Sequence, residues 1–158
     1  MRLILDATPL IHLTKAEFPL EKLGVELITT NDVLKEVLAE EFPENVRIKS
    51  MLNSKKLSVK NPKSILEGIG THEGELSVIS LAKETNSICI IDDRIGRAFA
   101  KSLKVKTIYS TALVVEASKK KIITKQEARN FIDKMIVNGW RCDVATYSVI
   151  LAKIEGIE

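Results

Sequence analysis

Two adjacent carboxylates, Asp92 and Asp93, end the apolar run over 88–91 and are the side chains of this sequence best placed for chemistry. Four consecutive apolar residues predict a short strand that is buried on both faces, because a strand with one wet face would alternate. The acids then lie at the carboxyl end of the strand, which is the edge where open α/β sheets bind ligands. The pair is therefore either a helix start or part of a site.

The same pattern occurs at the beginning of the chain. Residues 2–5 predict a first buried strand that ends at Asp6. Pro9 suits the first turn of a following helix, and Thr8 is the residue we expect to cap it. Since the carboxyl ends of parallel strands share one edge of a sheet, we expect Asp6 on the same side as the acid pair.

Two glutamates lie on helices that can face that edge. Glu36 borders the apolar stripe of a helix predicted over 33–41, and Glu75 leads the stripe of a helix that Thr71 caps and that runs to about Thr85. Each acid also has a simpler explanation, as a helix cap, an amphipathic border or a partner of the helix dipole. It is the expected convergence of the acids that favours a functional site.

Clustered carboxylates repel one another, so they must either take up protons or bind cations. The chain has two histidines and no cysteine cluster with metal spacing, which favours the hard, oxygen-seeking ions Mg²⁺ or Mn²⁺. Such ions orient and activate water for attack on phosphorus. Without Asp6, Glu36, Glu75 and Asp93 the chain has 24 basic and 17 acidic residues, a surplus of +7 that permits polyanion binding.

Composition indicates one aliphatic domain over 1–158, with 45% hydrophobic and only 4% aromatic residues. Stacking platforms for single-stranded nucleic acid are therefore scarce. No apolar run approaches the roughly 20 residues that span a bilayer, so we expect a cytoplasmic protein without a membrane partner. Cys89 and Cys142 are interpreted as inert thiols, with a disulfide left as the alternative.

Further strands are predicted over 25–29, 57–59 and 105–109, and further helices over 43–53, 94–103, 112–119, 124–138 and 143–154. Ser110 and Thr111 are expected to cap the helix that begins at 112. A loop is expected over 61–70, and the glycine-rich stretch at 68–74 does not match a nucleotide-binding loop because its third glycine is one residue late. Alternating strands and helices predict a three-layer α/β/α fold with a mainly parallel sheet, a core over about 1–118 and a helical hairpin over about 124–155.

Four segments in this order resemble the motifs of PIN-domain proteins. They are Asp6-Ala7-Thr8-Pro9-Leu10-Ile11, Asp32-Val33-Leu34-Lys35-Glu36-Val37, Gly74-Glu75 and Ile90-Ile91-Asp92-Asp93-Arg94-Ile95-Gly96-Arg97. The resemblance covers roughly residues 1–118. It is strongest to a toxin branch that has Pro after the first motif and a double Asp after the later strand.

The resemblance implies a metal-dependent ribonuclease that acts on RNA, most often as the toxin of a toxin–antitoxin pair and as a homodimer. It implies metal ligation by Asp6, Glu75 and either Asp93 or Asp92. The catalytic set that it implies is Asp6, Glu36, Glu75 and Asp93, with Thr8 and Thr111 as supporting hydroxyls. Asp93 is the preferred site acid, and Asp92 is expected to act as a cap or to support the site from behind.

Two other interpretations stay open from the sequence. A PIN-fold module that is weakly active or inactive would bind RNA or a protein without cleaving it. A phosphoacceptor domain similar to response regulators would also place Asp residues beside a parallel sheet. The second ranks lower, because Asp92 and Asp93 lie late in the chain and the lysine expected of such a receiver is not evident.

Overall fold

A five-stranded sheet forms the centre of the computed structural model, which describes residues 1–68 and 70–158. The strands are β1 (Arg2–Leu5), β2 (Glu26–Thr29), β3 (Ser58–Val59), β4 (Ile88–Ile90) and β5 (Thr107–Ile108). Their spatial order is β3-β2-β1-β4-β5, and each neighbouring pair is parallel. The direction of strand addition reverses between β1 and β4, so the crevice where such sheets bind ligands lies at the carboxyl ends of these two strands.

Eight α-helices and one short 3-10 helix (Leu20–Lys22) surround the sheet within the described residues. The α-helices are α1 (Ala7–Lys15), α2 (Asn31–Val37), α3 (Pro43–Asn53), α4 (Glu73–Thr85), α5 (Arg94–Ser102), α6 (Ser110–Lys119), α7 (Lys125–Val137) and α8 (Val144–Glu155). Helix α4 packs on β1 and β4 with α2 and α5 beside it, whereas α7 contacts α1 and α6. The predicted α/β/α fold is confirmed, and its sheet is parallel throughout.

The central strands are buried on both faces, as their apolar runs predict. Leu3, Ile4 and Leu5 of β1 and the residues 89–91 at the end of β4 have almost no exposed surface. Helices cover both faces of a parallel sheet, and this leaves its carboxyl edge as the place where polar side chains can reach the strand ends.

The two helices at the end of the chain form the predicted hairpin. A capping box at Thr124 starts α7, and α8 runs back along it. Lys125 Nζ at the start of α7 donates to the backbone carbonyl of Glu155 at the end of α8 (3.0 Å). Tyr147 Oη, in the first turn of α8, donates to Asp133 Oδ1 in the second half of α7 (2.7 Å).

Two elements differ most from their predicted bounds. Helix α2 ends at Val37 instead of continuing to 41, with Leu38 as its C-cap, and α3 begins at Pro43. Strand β5 contains only Thr107 and Ile108 instead of 105–109. Val105 is used in the turn that ends α5, where its N–H donates to the carbonyl of Ala100 (2.9 Å).

Three helix starts also differ from prediction by one or two residues. The N-caps are Asp6, His72 and Tyr109, instead of Thr8, Thr71 and the pair Ser110–Thr111. None of the three observed N-cap side chains accepts a capping hydrogen bond. These helices therefore begin where the chain leaves a strand or a loop. The capping preference of a nearby side chain does not decide where they start.

The loop predicted over 61–70 has no helix or strand at 61–68 or at 70, and Ile69 lies outside the described residues. Both cysteines are free, and burial raises the pKa of Cys89 to about 12, which keeps its thiol protonated. Over the described ranges, the structure contains no helix long and apolar enough to cross a bilayer.

Candidate active site

Asp6 lies at the carboxyl end of β1, in the crevice between β1 and β4. Its backbone N–H donates to the carbonyl of Ile90 (3.1 Å), which attaches it to the end of β4. The residue is 4% exposed. Burial is the main cause that raises its pKa to about 8; the N–H of Ala7 opposes this, and the charges of Glu75, Glu36 and Asp92 add to it. Asp6 is thus buried among other carboxylates.

Glu75 lies in the first turn of α4 and points into the same crevice. It is 6% exposed, and its Oε2 has no hydrogen-bond partner among the described residues. Burial raises the pKa of Glu75, and the charge of Asp93 raises it further. Helix α5 leaves space for this carboxylate at Gly96, where an added Cβ would lie 3.0 Å from Glu75 Cδ and Oε2.

Glu36 of α2 approaches Asp6 at Gly74, the residue before Glu75. A Cβ at Gly74 would lie 3.2 Å from Glu36 Oε2 and 3.8 Å from Asp6 Oδ1. The absence of a side chain at Gly74 thus allows carboxylates from α2 and from the end of β1 to approach the same turn of α4. Unlike Asp6 and Glu75, Glu36 is exposed, and it lines an open cavity of about 430 Å³.

Buried hydroxyls fix the elements that carry these acids. Thr29 Oγ1, at the end of β2, donates to the carbonyl of Leu5 at the end of β1 (3.0 Å). The hydroxyls of Thr30 and Ser77 are hydrogen-bonded at 2.6 Å, which joins the start of α2 to α4. Ser77 also donates to the carbonyl of Gly74 (2.7 Å). The helix starts that present Glu36 and Glu75 are therefore attached to each other.

The adjacent acids Asp92 and Asp93 have different partners. Asp93 is the N-cap of α5, and its Oδ2 accepts a hydrogen bond from the N–H of Gly96 (2.8 Å). Asp92 accepts from the N–H and the Oγ of Ser110 at the start of α6 (2.8 and 2.7 Å). Of the two roles expected for Asp92, that of N-cap of α5 belongs to Asp93, because the chain turns into α5 one residue later; that Asp92 supports the site stays a prediction. That Asp93 is the direct site acid stays a prediction.

The two predicted supporting hydroxyls have different surroundings. Thr8 is exposed in the first turn of α1. Thr111 is buried at the start of α6, next to Ser110, and its Oγ1 has no hydrogen-bond partner within the described part of the chain. Their roles in the site remain predictions.

The carboxylates fit a divalent ion in chemistry and in charge. They supply only oxygen donors, as Mg²⁺ and Mn²⁺ prefer, and the raised pKa values of Asp6 and Glu75 show that negative charge is unfavourable where they lie. Within 1–68 and 70–158, however, no three His, Cys, Asp or Glu side chains form a group that could hold a metal ion. The structure therefore contains candidate ligands and no assembled coordination shell.

Three contributors to this geometry were named from the sequence only as a helix cap or as parts of motifs, without a role in the site. Ser110 orients Asp92, while Gly74 and Gly96 leave room for the carboxylates. A readable signal existed for Gly96, because a glycine in a helix costs about 1 kcal/mol relative to Ala and often marks a close approach. No comparable local signal distinguishes Ser110 from an ordinary helix-capping serine.

The parallel sheet and the acids at its switch point define an α/β domain with a candidate carboxylate site. A family model described as a PIN domain matches residues 2–156, and the chain therefore belongs to the PIN-domain family. The match extends beyond residue 118 into both C-terminal helices. PIN domains are generally nucleases and typically use divalent metal ions.

One solved structure with a similar fold is a PilT N-terminus domain protein from the hyperthermophilic archaeon Sulfolobus solfataricus P2. The two chains are 17% identical with a TM-score of 0.48, and the alignment covers 74% of this chain and 93% of that chain. No curated protein sequence matches this chain.

Proposed function

We propose that this protein is a Mg²⁺- or Mn²⁺-dependent endoribonuclease that hydrolyses phosphodiester bonds of single-stranded RNA. The observation that carries the proposal is the pair of buried carboxylates, Asp6 and Glu75, at the switch point of the sheet. Burying an acid without a counter-charge is costly, so such a pair is expected where a cation offsets the cost. Membership of a family of nucleases supports the same reaction.

In this proposal Asp6 and Glu75 are the main ligands, and Asp93 adds the oxygen that does not cap α5. A bound divalent ion supplies a water of lowered pKa and positive charge beside the phosphate. Glu36 is exposed next to Gly74, where its carboxylate can accept a hydrogen bond from the attacking water. Asp92, held by Ser110, and the hydroxyls of Thr8 and Thr111 support the site from its border.

The test is cleavage of a labelled single-stranded RNA by purified protein, in chelator and then in Mn²⁺. We expect cleavage only with the metal, and a loss of about 100-fold or more in Asp6→Asn and Glu75→Gln. Glu116→Gln is the matched control, because Glu116 is an exposed acid of α6 paired with Lys119. Full activity in chelator, or in Asp6→Asn, would overturn the proposal.

The second candidate is a PIN-fold module that binds RNA or a protein without cleaving it. Two observations favour it: the described residues contain no assembled metal group, and Asp92 and Asp93 already accept hydrogen bonds from the protein. Calorimetry with Mn²⁺ separates the candidates when it is combined with the cleavage assay. Metal binding that depends on Asp6 but is never accompanied by cleavage would favour the binding module.

The proposal includes a biological role as a cytoplasmic toxin that is neutralised by an antitoxin protein and acts as a homodimer. This role is supported by the motif resemblance alone. Induced expression is expected to arrest the growth of a bacterial host, whereas Asp6→Asn is expected to be harmless at equal protein level. Sedimentation analysis of the purified chain tests the dimer, and a single monomeric species would contradict it.

A further inference from the structure

Tyr109 presents an exposed aromatic ring at the edge of the sheet that carries the acids. It follows β5 directly, is the N-cap of α6, and has 47% of its surface exposed. The guanidinium carbon of Arg97 lies 3.6 Å from the centroid of the ring. Arg97 Nη1 also donates to the carbonyl of Ile91 at the end of β4 (3.3 Å). The guanidinium thus lies between the strand end and the ring, and about half of the surface of Tyr109 remains exposed.

This stack is attached to the candidate site through the backbone on both sides. Ile91, which accepts from Arg97, precedes Asp92, and Tyr109 precedes Ser110, which donates twice to Asp92. The position of the ring relative to Asp92 is therefore set by strand ends and by short hydrogen bonds. A ligand that contacts the ring therefore lies near Asp92.

The location matters because exposed aromatic rings are rare in this protein. The sequence has four Phe, two Tyr and one Trp. Within the described residues, Tyr109 and Phe42 are the aromatic side chains with more than a third of their surface exposed. Phe42 lines a cavity between α1 and α3 that contains none of the site acids. Tyr109 is therefore the exposed ring that a ligand at the acid edge can reach.

We infer that Tyr109, supported from behind by Arg97, stacks on one nucleobase of single-stranded RNA next to the bond that is cleaved; the inference rests on the proposed function. Stacking suits this edge because the face of a base is uncharged and stacks on any exposed aromatic face. Arg97 adds positive charge on the side of the ring that faces the protein, and this charge partly offsets the acids.

The test uses two variants that separate the π face from the volume of the side chain. Tyr109→Phe keeps the ring, and Tyr109→Leu keeps an apolar group packed on Arg97 but removes the π face. Binding of a fluorescein-labelled mixed-sequence RNA is measured by anisotropy in Ca²⁺, with the integrity of the RNA checked on a gel. We expect Tyr109→Phe to bind within about twofold of wild type and Tyr109→Leu to bind about tenfold more weakly. Phe42→Leu is the matched control and should bind as wild type does.

A series of RNAs with one abasic nucleotide at successive positions identifies the stacked base. In wild type and in Phe42→Leu, removal of that base should weaken binding about tenfold. In Tyr109→Leu the same removal should have little further effect, because the partner ring is already absent. A purely structural role for Tyr109 would weaken binding of intact and abasic RNA equally, and that result would overturn the inference.

The outcomes distinguish this inference from the proposed function. RNA binding that depends on Tyr109, without cleavage in Mn²⁺, would support base stacking on Tyr109 and rule out the ribonuclease function. Cleavage in Mn²⁺ with equal KM in wild type and Tyr109→Leu would support the ribonuclease function and rule out base stacking on Tyr109. Circular dichroism of both Tyr109 variants confirms that they are folded before binding is compared.

Discussion

Asp6→Asn is expected to change how the stability of this protein depends on pH. In the folded, metal-free protein, burial raises the pKa of Asp6 from 3.8 to about 8. Between these values the folded state retains a proton that the unfolded state releases, so the free energy of unfolding falls as the pH rises. One such group changes that free energy by at most about 1.4 kcal/mol per pH unit, and hence by about 2.7 kcal/mol from about pH 5 to about pH 7.

The variant has nearly the same side-chain volume and no carboxylate, so it lacks this contribution. The difference in the free energy of unfolding should therefore grow by about 2.7 kcal/mol in favour of Asp6→Asn from about pH 5 to about pH 7. A total stability of about 5–15 kcal/mol is usual for a domain, so the effect is large enough to measure. Urea unfolding in the presence of chelator, followed by the fluorescence of Trp140, provides the measurement, because the chain has one tryptophan.

Two further measurements test the reasoning. Glu116→Gln, which alters an exposed acid, should keep the pH dependence of wild type. Saturating Mn²⁺ should stabilise wild type near neutral pH more than it stabilises Asp6→Asn, because the metal binds the folded carboxylates. If wild type and Asp6→Asn give parallel curves, Asp6 is ionised in the folded metal-free protein and the reasoning is refuted.

Three other changes have expected outcomes. Gly96→Ala should reduce Mn²⁺ affinity about tenfold, measured by calorimetry, because its Cβ would lie 3.0 Å from Glu75 Cδ; the gain in helix propensity should keep the loss of stability below about 1 kcal/mol. Lys104→Gly should raise the free energy of unfolding by about 0.5 kcal/mol, measured by urea unfolding. Lys104 has a φ of 59°, and this left-handed conformation is less favourable for a residue with a Cβ than for glycine. Thr124→Ala should lower the melting temperature, with a loss of about 1 kcal/mol, because it removes the capping box of α7.

Each of these changes has a control and a contradicting result. Ala98→Ser alters an exposed position of α5 and should leave metal affinity unchanged; equal affinity in Gly96→Ala would show that Glu75 is not a ligand. Lys101→Gly, inside α5, should destabilise by about 1 kcal/mol, and a similar loss in Lys104→Gly would contradict the argument from φ. Gln126→Ala, in the same turn as Thr124, should have little effect on melting, and an equal loss in the two variants would contradict the argument from the capping box.

The elements of the fold were largely readable from local pattern. The apolar runs before Asp6 and Asp92 predicted two buried strands, and the structure places them side by side at the centre of the sheet. Periodicity also predicted α4 and the C-terminal hairpin. Boundaries were less accurate, because α2 ends at Val37 and β5 contains two residues. Each of those ends depends on a neighbouring turn instead of on the propensity of the residues within the element.

The acids of the candidate site were also visible in the sequence, but their partners were not. Strand ends predicted that Asp6 and the 92–93 pair share an edge, because parallel strands end on the same side. Which acid caps α5 depends on the residue at which the chain leaves β4, and this was decided only by the fold. A glycine inside α5 indicates a close approach, but only the tertiary structure shows that Glu75 of α4 is the side chain that approaches Gly96.

The sequence by itself therefore determined the α/β class, the alternation of strands and helices that makes the sheet parallel, and the set of carboxylates available for a site. Those features follow from hydrophobic periodicity and from residue type, which are local properties of the chain. Tertiary structure alone decided that Asp6 and Glu75 are buried, that Asp92 is held by Ser110, and that Tyr109 lies on Arg97 beside them. These are relations between residues that are distant in sequence, and packing of the helices on the sheet is what brings them together.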